Sequence, residues 1–147
     1  MMMITGPLAA AFWLFGTGAV MAQNLDDVEN GVESLTESVH MLTGAGGNIG
    51  PVAGDDVAFL IDGQFAPLTD RILEAVRSVT DQPVRFVLNT HFHGDHAGGN
   101  ENMAEAGGLI VAHDNVRERL STEQVSEFFG RTTPAVRIRG SFPVTAR

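Results

Sequence analysis

Four side chains that commonly bind metal ions fall within six residues near the middle of the sequence, and they constrain the fold more than any other feature. They follow the apolar, strand-length run 84–89 and are His91, His93, Asp95 and His96. Residues two apart in an extended segment project to the same side, so His91 and His93 can reach one metal ion together. A glycine follows His93 and allows a sharp turn, after which Asp95 and His96 can face a second ion. The pattern predicts a metal-binding loop at the end of a buried strand.

The chemistry of these donors indicates zinc. Neutral imidazole and carboxylate oxygen suit Zn²⁺, so we expect one or two zinc ions, while Fe and Mn bind the same donor types and stay open. The sequence has no cysteine, which excludes zinc–thiolate sites, disulfide bonds and thiolate nucleophiles. The alternative is a chance histidine cluster on a polar loop. The metal interpretation is favoured because the cluster directly follows an apolar strand.

Apolar runs of strand length alternate with helical periodicity on both sides of this loop. The predicted strands are 38–42, 57–62, 84–89 and 109–112, and the predicted helices are 67–79, 101–106 and 114–129. Asn100 and Asp114 are the predicted N-caps of the last two helices. The Gly-rich stretch 44–50 predicts a turn, because it lacks the third glycine of a phosphate-binding loop and no helix follows it. The alternation predicts a layered α/β fold.

The segment from Thr90 to Asn100 resembles the signature loop of the metallo-β-lactamase superfamily. The order of Gly46–Gly50, Phe59–Asp62, a helix and then the loop is also similar to the N-terminal half of that family. The resemblance covers residues 39–129. It implies the N-terminal half of a metallo-β-lactamase-type αββα sandwich, truncated before the second half.

In that family, the first metal ion is bound by histidines that match His91 and His93. The second is bound by an aspartate and a histidine that match Asp95 and His96. The resemblance therefore implies a metal-dependent hydrolase in which Asp95 is also catalytic. A hydroxide on the metal would attack an ester-, thioester- or lactam-like bond, because a bound metal lowers the pKa of water from 15.7 to about 7 and polarises the substrate.

Five further residues have competing interpretations. The resemblance places Asp62 behind the metal ligands, as a hydrogen-bond acceptor that orients an imidazole, and a strand-end turn is the alternative. Phe65 and Phe92 are candidates for lining a substrate groove, although buried packing is an equally open interpretation. His40 and His113 are expected to be structural histidines.

The sequence departs from the family pattern after His96. The family completes its site with a further histidine, a bridging aspartate and a last histidine, whereas His113 is the only histidine after His96 here and no Asp or His follows Phe129. The expected organisation is an N-terminal arm at 23–38, a partial metallo-β-lactamase-like domain at 39–130 and an arginine-rich tail at 131–147. We therefore expect an incomplete hydrolase. The alternatives are a non-catalytic truncated remnant and a half-domain that needs a partner chain, and a bare sheet face would allow self-association.

The charge balance bears on the class of partner. The formal net charge is −9 at pH 7. Nucleic acids and anionic membranes carry charge of the same sign, so non-specific binding to either is disfavoured. We expect a small-molecule substrate.

The start of the sequence predicts export. We interpret residues 1–22 as a cleaved signal peptide, because Met1–Gln23 carries no charged side chain, Leu8–Leu14 is strongly apolar and Val20–Ala22 resembles a signal-peptidase site. The product would be secreted or periplasmic, with no membrane contact after cleavage. The alternatives are an uncleaved membrane anchor and a cytoplasmic product that starts at Met21.

N-terminal sequencing of the exported protein should begin at Gln23. The variant Ala22→Arg should accumulate uncleaved, because signal peptidase reads small residues at this position. An intact Met1 on soluble cytosolic protein would contradict the export prediction.

Overall fold

The computed structural model describes residues 24–126 and 130–135. These ranges contain eight strands and four α-helices, with single 3₁₀ turns at Leu25–Asp27 and Ala66–Leu68, and strands alternate with helices between β4 and β7. The strands are β1 (Gly31–Ser34), β2 (His40–Thr43), β3 (Gly50–Ala53), β4 (Ala58–Ile61), β5 (Val84–Asn89), β6 (Leu109–Ala112), β7 (Gln124–Ser126) and β8 (Arg131–Thr133). The helices are α1 (Thr69–Arg77), α2 (Gly94–Ala97), α3 (Asn100–Glu105) and α4 (Asp114–Leu120).

The central sheet has the strand order β3-β4-β5-β6. β3 is antiparallel to β4, whereas β4, β5 and β6 are mutually parallel. β1 and β2 form a separate antiparallel pair, which single bridges at Val39–Val52 and Leu42–Ile49 connect to β3. Because parallel strands end at the same edge, the residues that follow β4, β5 and β6 meet at one side of the sheet.

One face of the sheet carries the main core. Leu60 and Val87 from the sheet pack with Ile72 of α1 and Met103 of α3, and all four side chains are almost fully buried. In α1, apolar residues recur at four-residue spacing, which gives the helix one apolar face toward the sheet. A second, smaller cluster lies under the histidine loop and joins Ala97, Ala112, Val116 and Leu120.

The opposite face of the sheet is apolar and open within the described residues. Phe59 and Phe86 stack with ring centroids 5.1 Å apart. Ile61 lies beside Leu88 in the parallel register, and these residues are 38% and 39% exposed. Alternation along the strands places these four side chains on the side away from the core.

The N-terminal segment is held by one arginine. The guanidinium of Arg71, in α1, donates hydrogen bonds to the carbonyls of Leu25, Asp26 and Val28 at 3.1, 2.7 and 2.9 Å. These bonds fix the 3₁₀ turn against α1 and satisfy three carbonyls that strand pairing does not reach. The segment predicted as an arm therefore contains an ordered turn and strand β1.

The predicted helix over 114–129 is confirmed over 114–120 and wrong over 121–126, and residues 127–129 lie outside the described residues. Helix α4 ends at Leu120, and β7 begins at Gln124 and pairs with β8. The hydroxyls of Ser121 and Thr122 donate to the carbonyl of Glu118, which gives the helix end local partners in place of further helical turns.

Both predicted helix caps were displaced by one residue. His113, expected to be structural, is the N-cap of α4, and its Nδ1 accepts a hydrogen bond from the backbone N–H of Asn115 at 3.1 Å. Asp114 instead occupies the first turn. Asn100 lies inside α3, where its side chain is buried and donates to Oδ1 of Asn89 at 2.7 Å.

Four of the described strands, β1, β3, β7 and β8, were not predicted, and a second helix was predicted too long. β1 is exposed at every position, so it lacks the alternation that marks a half-buried strand. β3 contains glycine and proline, which argue against a strand in sequence. The predicted helix 67–79 is a 3₁₀ turn followed by the shorter α1.

Two predicted segments fall largely or wholly outside the described residues. The predicted signal peptide at 1–22 lies wholly outside them, and only residues 131–135 of the predicted tail lie within them. None of the helices in the described ranges has the length and apolar character that a membrane span requires.

Substitution of Leu60 by alanine should lower the free energy of unfolding by about 2–5 kcal/mol, because a cavity replaces a fully buried side chain. The matched change Leu88→Ala, on the open face, should cost about 1 kcal/mol or less. Urea denaturation followed by circular dichroism measures both. Equal losses would show that the open face is covered in solution.

Candidate metal centre

The predicted site residues gather at the carboxyl edge of the parallel strands. Asp62 follows β4 directly, and Thr90 and His91 follow β5. His93 is the N-cap of the single-turn helix α2, which contains Asp95 and His96. The ends of β4 and β5 therefore position Asp62, Thr90 and His91, and helix α2 brings Asp95 and His96 back toward this edge of the sheet.

Three of the four predicted ligands converge on one point. His91, Asp95 and His96 each offer one ligand atom, and these atoms all lie within 4.8 Å of one another. The rings of His91 and His96 have centroids 4.0 Å apart. Nε2 of His96 lies 3.4 Å from Oδ2 of Asp95.

His93 lies outside this three-residue group. Its ring meets the ring of His91 edge-on, with centroids 4.8 Å apart, and its exposed side chain also contacts Phe92, at 4.7 Å. The predicted pairing of His91 with His93 assumed an extended backbone. The chain instead bends from Thr90 through His93 before α2 begins, so the two-residue alternation does not hold there.

Asp62 connects the two halves of the loop. Its carboxylate is buried and accepts hydrogen bonds from the backbone N–H of Thr90 at 2.8 Å and from the hydroxyl of Thr90 at 2.7 Å. Nδ1 of His96 lies 2.9 Å from the same carboxylate. A carboxylate can only accept here, so Nδ1 of His96 carries the hydrogen and Nε2 presents a lone pair.

Thr90 fixes the position of the ring hydrogen of His91 in the same way as Asp62 does for His96. Its hydroxyl has one hydrogen, which it donates to Asp62, so it accepts from Nδ1 of His91 at 3.0 Å. Nε2 of His91 is then also free to bind a metal ion. Sequence reasoning missed Thr90, although a hydroxyl residue between the strand and the first histidine was a usable signal.

The electrostatics of the group favour metal binding. Burial lowers the pKa of His91 below its usual value of 6.5, and positive charge on His96 or His93 lowers it further. His91 is therefore neutral near pH 7, which is the form that binds metal. The carboxylate of Asp95 lies 3.4 Å from Nε2 of His96, so a cation between them would be attracted by the carboxylate and could accept the lone pair of the neutral imidazole.

The donor set fits zinc. Two ligands at 2.0–2.1 Å from a tetrahedral zinc ion lie about 3.3 Å apart, close to the 3.4 Å between His96 and Asp95. The group combines two imidazoles and one carboxylate, which is a ligand set found at catalytic zinc sites.

The remaining candidates lie outside the group of three ligands. Phe92 is partly buried against the small cluster under the loop, with the guanidinium of Arg119 5.6 Å from its ring centroid. Phe65 is partly buried against the main core. His40 is buried in β2 with its Nδ1 3.1 Å from the hydroxyl of Ser34, far along the chain from the loop.

Comparisons with solved structures show the fold. FIM-1 from Pseudomonas aeruginosa, a metallo-beta-lactamase solved in its mono-zinc form, is 24% identical with a TM-score of 0.57, over 63% of this chain and 45% of that one. MEM-A1, a subclass B3 enzyme from a soil metagenome, is 23% identical with a TM-score of 0.59, over 71% and 42%. A B3 metallo-beta-lactamase with an active-site glutamic acid is 26% identical with a TM-score of 0.60, over 72% and 43%.

The chain spans less than half the length of these solved structures. No curated protein matches it. The family model of the metallo-beta-lactamase superfamily matches residues 42–144, which is more than half of the chain and includes the whole histidine loop. This match confirms the resemblance seen in sequence: the chain belongs to the metallo-beta-lactamase superfamily.

Proposed function

We propose that this chain provides the first zinc-binding part of a hydrolase that cleaves ester-, thioester- or lactam-like bonds. The observation that carries the proposal is the convergence of His91, Asp95 and His96 on one point. Membership of the superfamily supports the reaction class. Zinc, when bound there, would polarise a substrate carbonyl and lower the pKa of a coordinated water.

The residues of the loop have distinct proposed roles. His91 and His96 would hold the ion through Nε2, because Nδ1 of each donates a hydrogen bond to another residue. Asp95 would bind through its carboxylate, and its side chain is 34% exposed, compared with 17% for His96. It therefore also faces the solvent that supplies the attacking water, which supports a role in catalysis. His93 would serve a second ion beside the first.

The substrate class is part of this proposal. The solved relatives are named as metallo-beta-lactamases, so a β-lactam is the first substrate to test. Esters, thioesters and lactones offer a similar carbonyl and belong in the same panel. The predicted export supports a small molecule met outside the cytoplasm.

A second candidate function is favoured by the open apolar face of the sheet. The chain would then act only when another chain covers Phe59, Ile61, Phe86 and Leu88. A second copy of the chain is the simplest occupant. Sedimentation of wild type and of Leu88→Lys tests this, because a charge in the middle of the face should shift a dimer to monomer.

The polypeptide alone should hold one zinc ion at most and turn over slowly, because His91, Asp95 and His96 supply three ligands to one ion, whereas a second ion would have only His93. Zinc content and hydrolysis of an ester and a β-lactam are the measurements. His91→Ala should abolish zinc uptake. The control His113→Asn keeps a capping acceptor and should leave uptake unchanged. Two zinc ions per chain, with activity lost in His91→Ala, would show that the chain is a full hydrolase on its own.

Asp62→Asn should weaken zinc binding about 10–100-fold, as loss of a partner that orients a ligand histidine typically does. Asparagine suits the left-handed backbone at this position (φ 64°), so the change tests the carboxylate rather than the turn. The exposed Asp56→Asn is the matched control. Competition with a chromophoric chelator measures both affinities, and equal values in the two variants would remove the proposed role of Asp62.

A further inference from the structure

Gln64 is a buried polar side chain that no part of the proposed function uses. It is 0% exposed, and its Nε2 donates a hydrogen bond to the carbonyl of Gly47, 17 residues earlier in the chain. The other amide atom, Oε1, is buried without a hydrogen-bond partner. The reversed amide would bring Oε1 against the Gly47 carbonyl, so the donor orientation is fixed.

The backbone at Asp62 and Gln64 adopts a strained conformation, which surrounding hydrogen bonds hold in place. Gln64 has φ 49° and Asp62 has φ 64°, both in the left-handed region that non-glycine residues rarely adopt. Such conformations cost about 1–3 kcal/mol each and persist when surrounding contacts hold them. The contacts here are hydrogen bonds from Gly63 N–H to the carbonyl of His96 and from Gly99 N–H to the carbonyl of Gln64, both 2.7 Å.

The loop that Gln64 holds packs directly on two metal ligands. A Cβ added to Gly46 would lie 2.5 Å from Cβ of Asp95. A Cβ added to Gly47 would lie 2.4 Å from Cε1 of His96 and 2.5 Å from its Nε2. Only a glycine backbone fits against these two side chains. A small displacement of the loop would therefore change the space available to Asp95 and to His96.

We propose that Gln64 is a positioning residue that holds the Gly46–Gly47 loop against Asp95 and His96 and thereby sets the spacing of these two ligands. The proposal rests on the proposed metal-binding function of the loop. His96 is then fixed from two sides. Asp62 accepts a hydrogen bond from Nδ1 of His96. Two residues later, Gln64 donates to the carbonyl of Gly47, whose backbone packs against the His96 ring.

The full-length variant Gln64→Met tests the proposal, because methionine keeps the length of the side chain and removes the hydrogen bond. The matched control is Thr69→Val, which removes another buried side-chain donor to a carbonyl (Ala66, 2.9 Å) away from the loop. We expect both variants to lose some thermal stability. Only Gln64→Met should shift the NMR signals of the Gly47 amide and the His96 ring in metal-free protein.

With metal added, Gln64→Met should bind zinc about 10–100-fold more weakly than Thr69→Val. Its cobalt(II)-substituted form should show altered visible absorption bands, while those of Thr69→Val match wild type. Gly47→Ala should reproduce both effects with Gln64 intact, because Gly47 has no positive φ and the three atoms nearest the added Cβ all belong to the His96 ring.

If Gln64→Met shows the same His96 signals and the same zinc affinity as wild type, the positioning role is wrong. If the methionine variant does not fold, Gln64→Leu removes the same donor without adding a buried charge and is judged by the same readouts. If wild type takes up no zinc, the proposed function fails. The metal-free NMR comparison then decides the role of Gln64 by itself.

Discussion

The carboxylate of Asp62 is the interaction on which the site depends. A buried carboxylate is stable only when its oxygens accept hydrogen bonds. Here they accept from both donors of Thr90 and from His96, so one group closes the loop between β5 and α2. The parallel register of β4 and β5 makes this possible, because the backbone N–H of Asp62 also binds the carbonyl of Leu88 at 2.9 Å.

Sequence reasoning identified the parts of the fold whose signals are local. The strands at 84–89 and 109–112 agree with β5 and β6, because each is a short apolar run bounded by polar or glycine residues. β1 and β3 were missed, since their stability comes from pairing with residues distant in sequence. The end of α4 was misjudged because Val125 and Phe128 continue the helical spacing of apolar residues in the sequence. Only the hydroxyl contacts of Ser121 and Thr122 with the carbonyl of Glu118 show that the helix ends before them.

The residue types of the candidate site could be predicted from the sequence, whereas their arrangement in space could be predicted only in part. The spacing of the loop indicated metal binding, and the resemblance to the superfamily indicated Asp62 as its support. The grouping of His91 with Asp95 and His96 depends on a backbone bend that spacing alone does not encode. The contribution of Gln64 was not visible, because its partner is a glycine carbonyl from a segment that sequence reasoning treated as a plain turn.

Arg71 bears on how a polypeptide cut at the predicted cleavage site would resist degradation from its N-terminus. Its guanidinium binds three neutral carbonyls of the segment 25–28, so added salt should weaken this contact less than it would weaken an ion pair. A polypeptide that starts near residue 23 would have its first turn tethered almost at once. Aminopeptidases need a free, extended end, and such a terminus would leave them only a residue or two to remove.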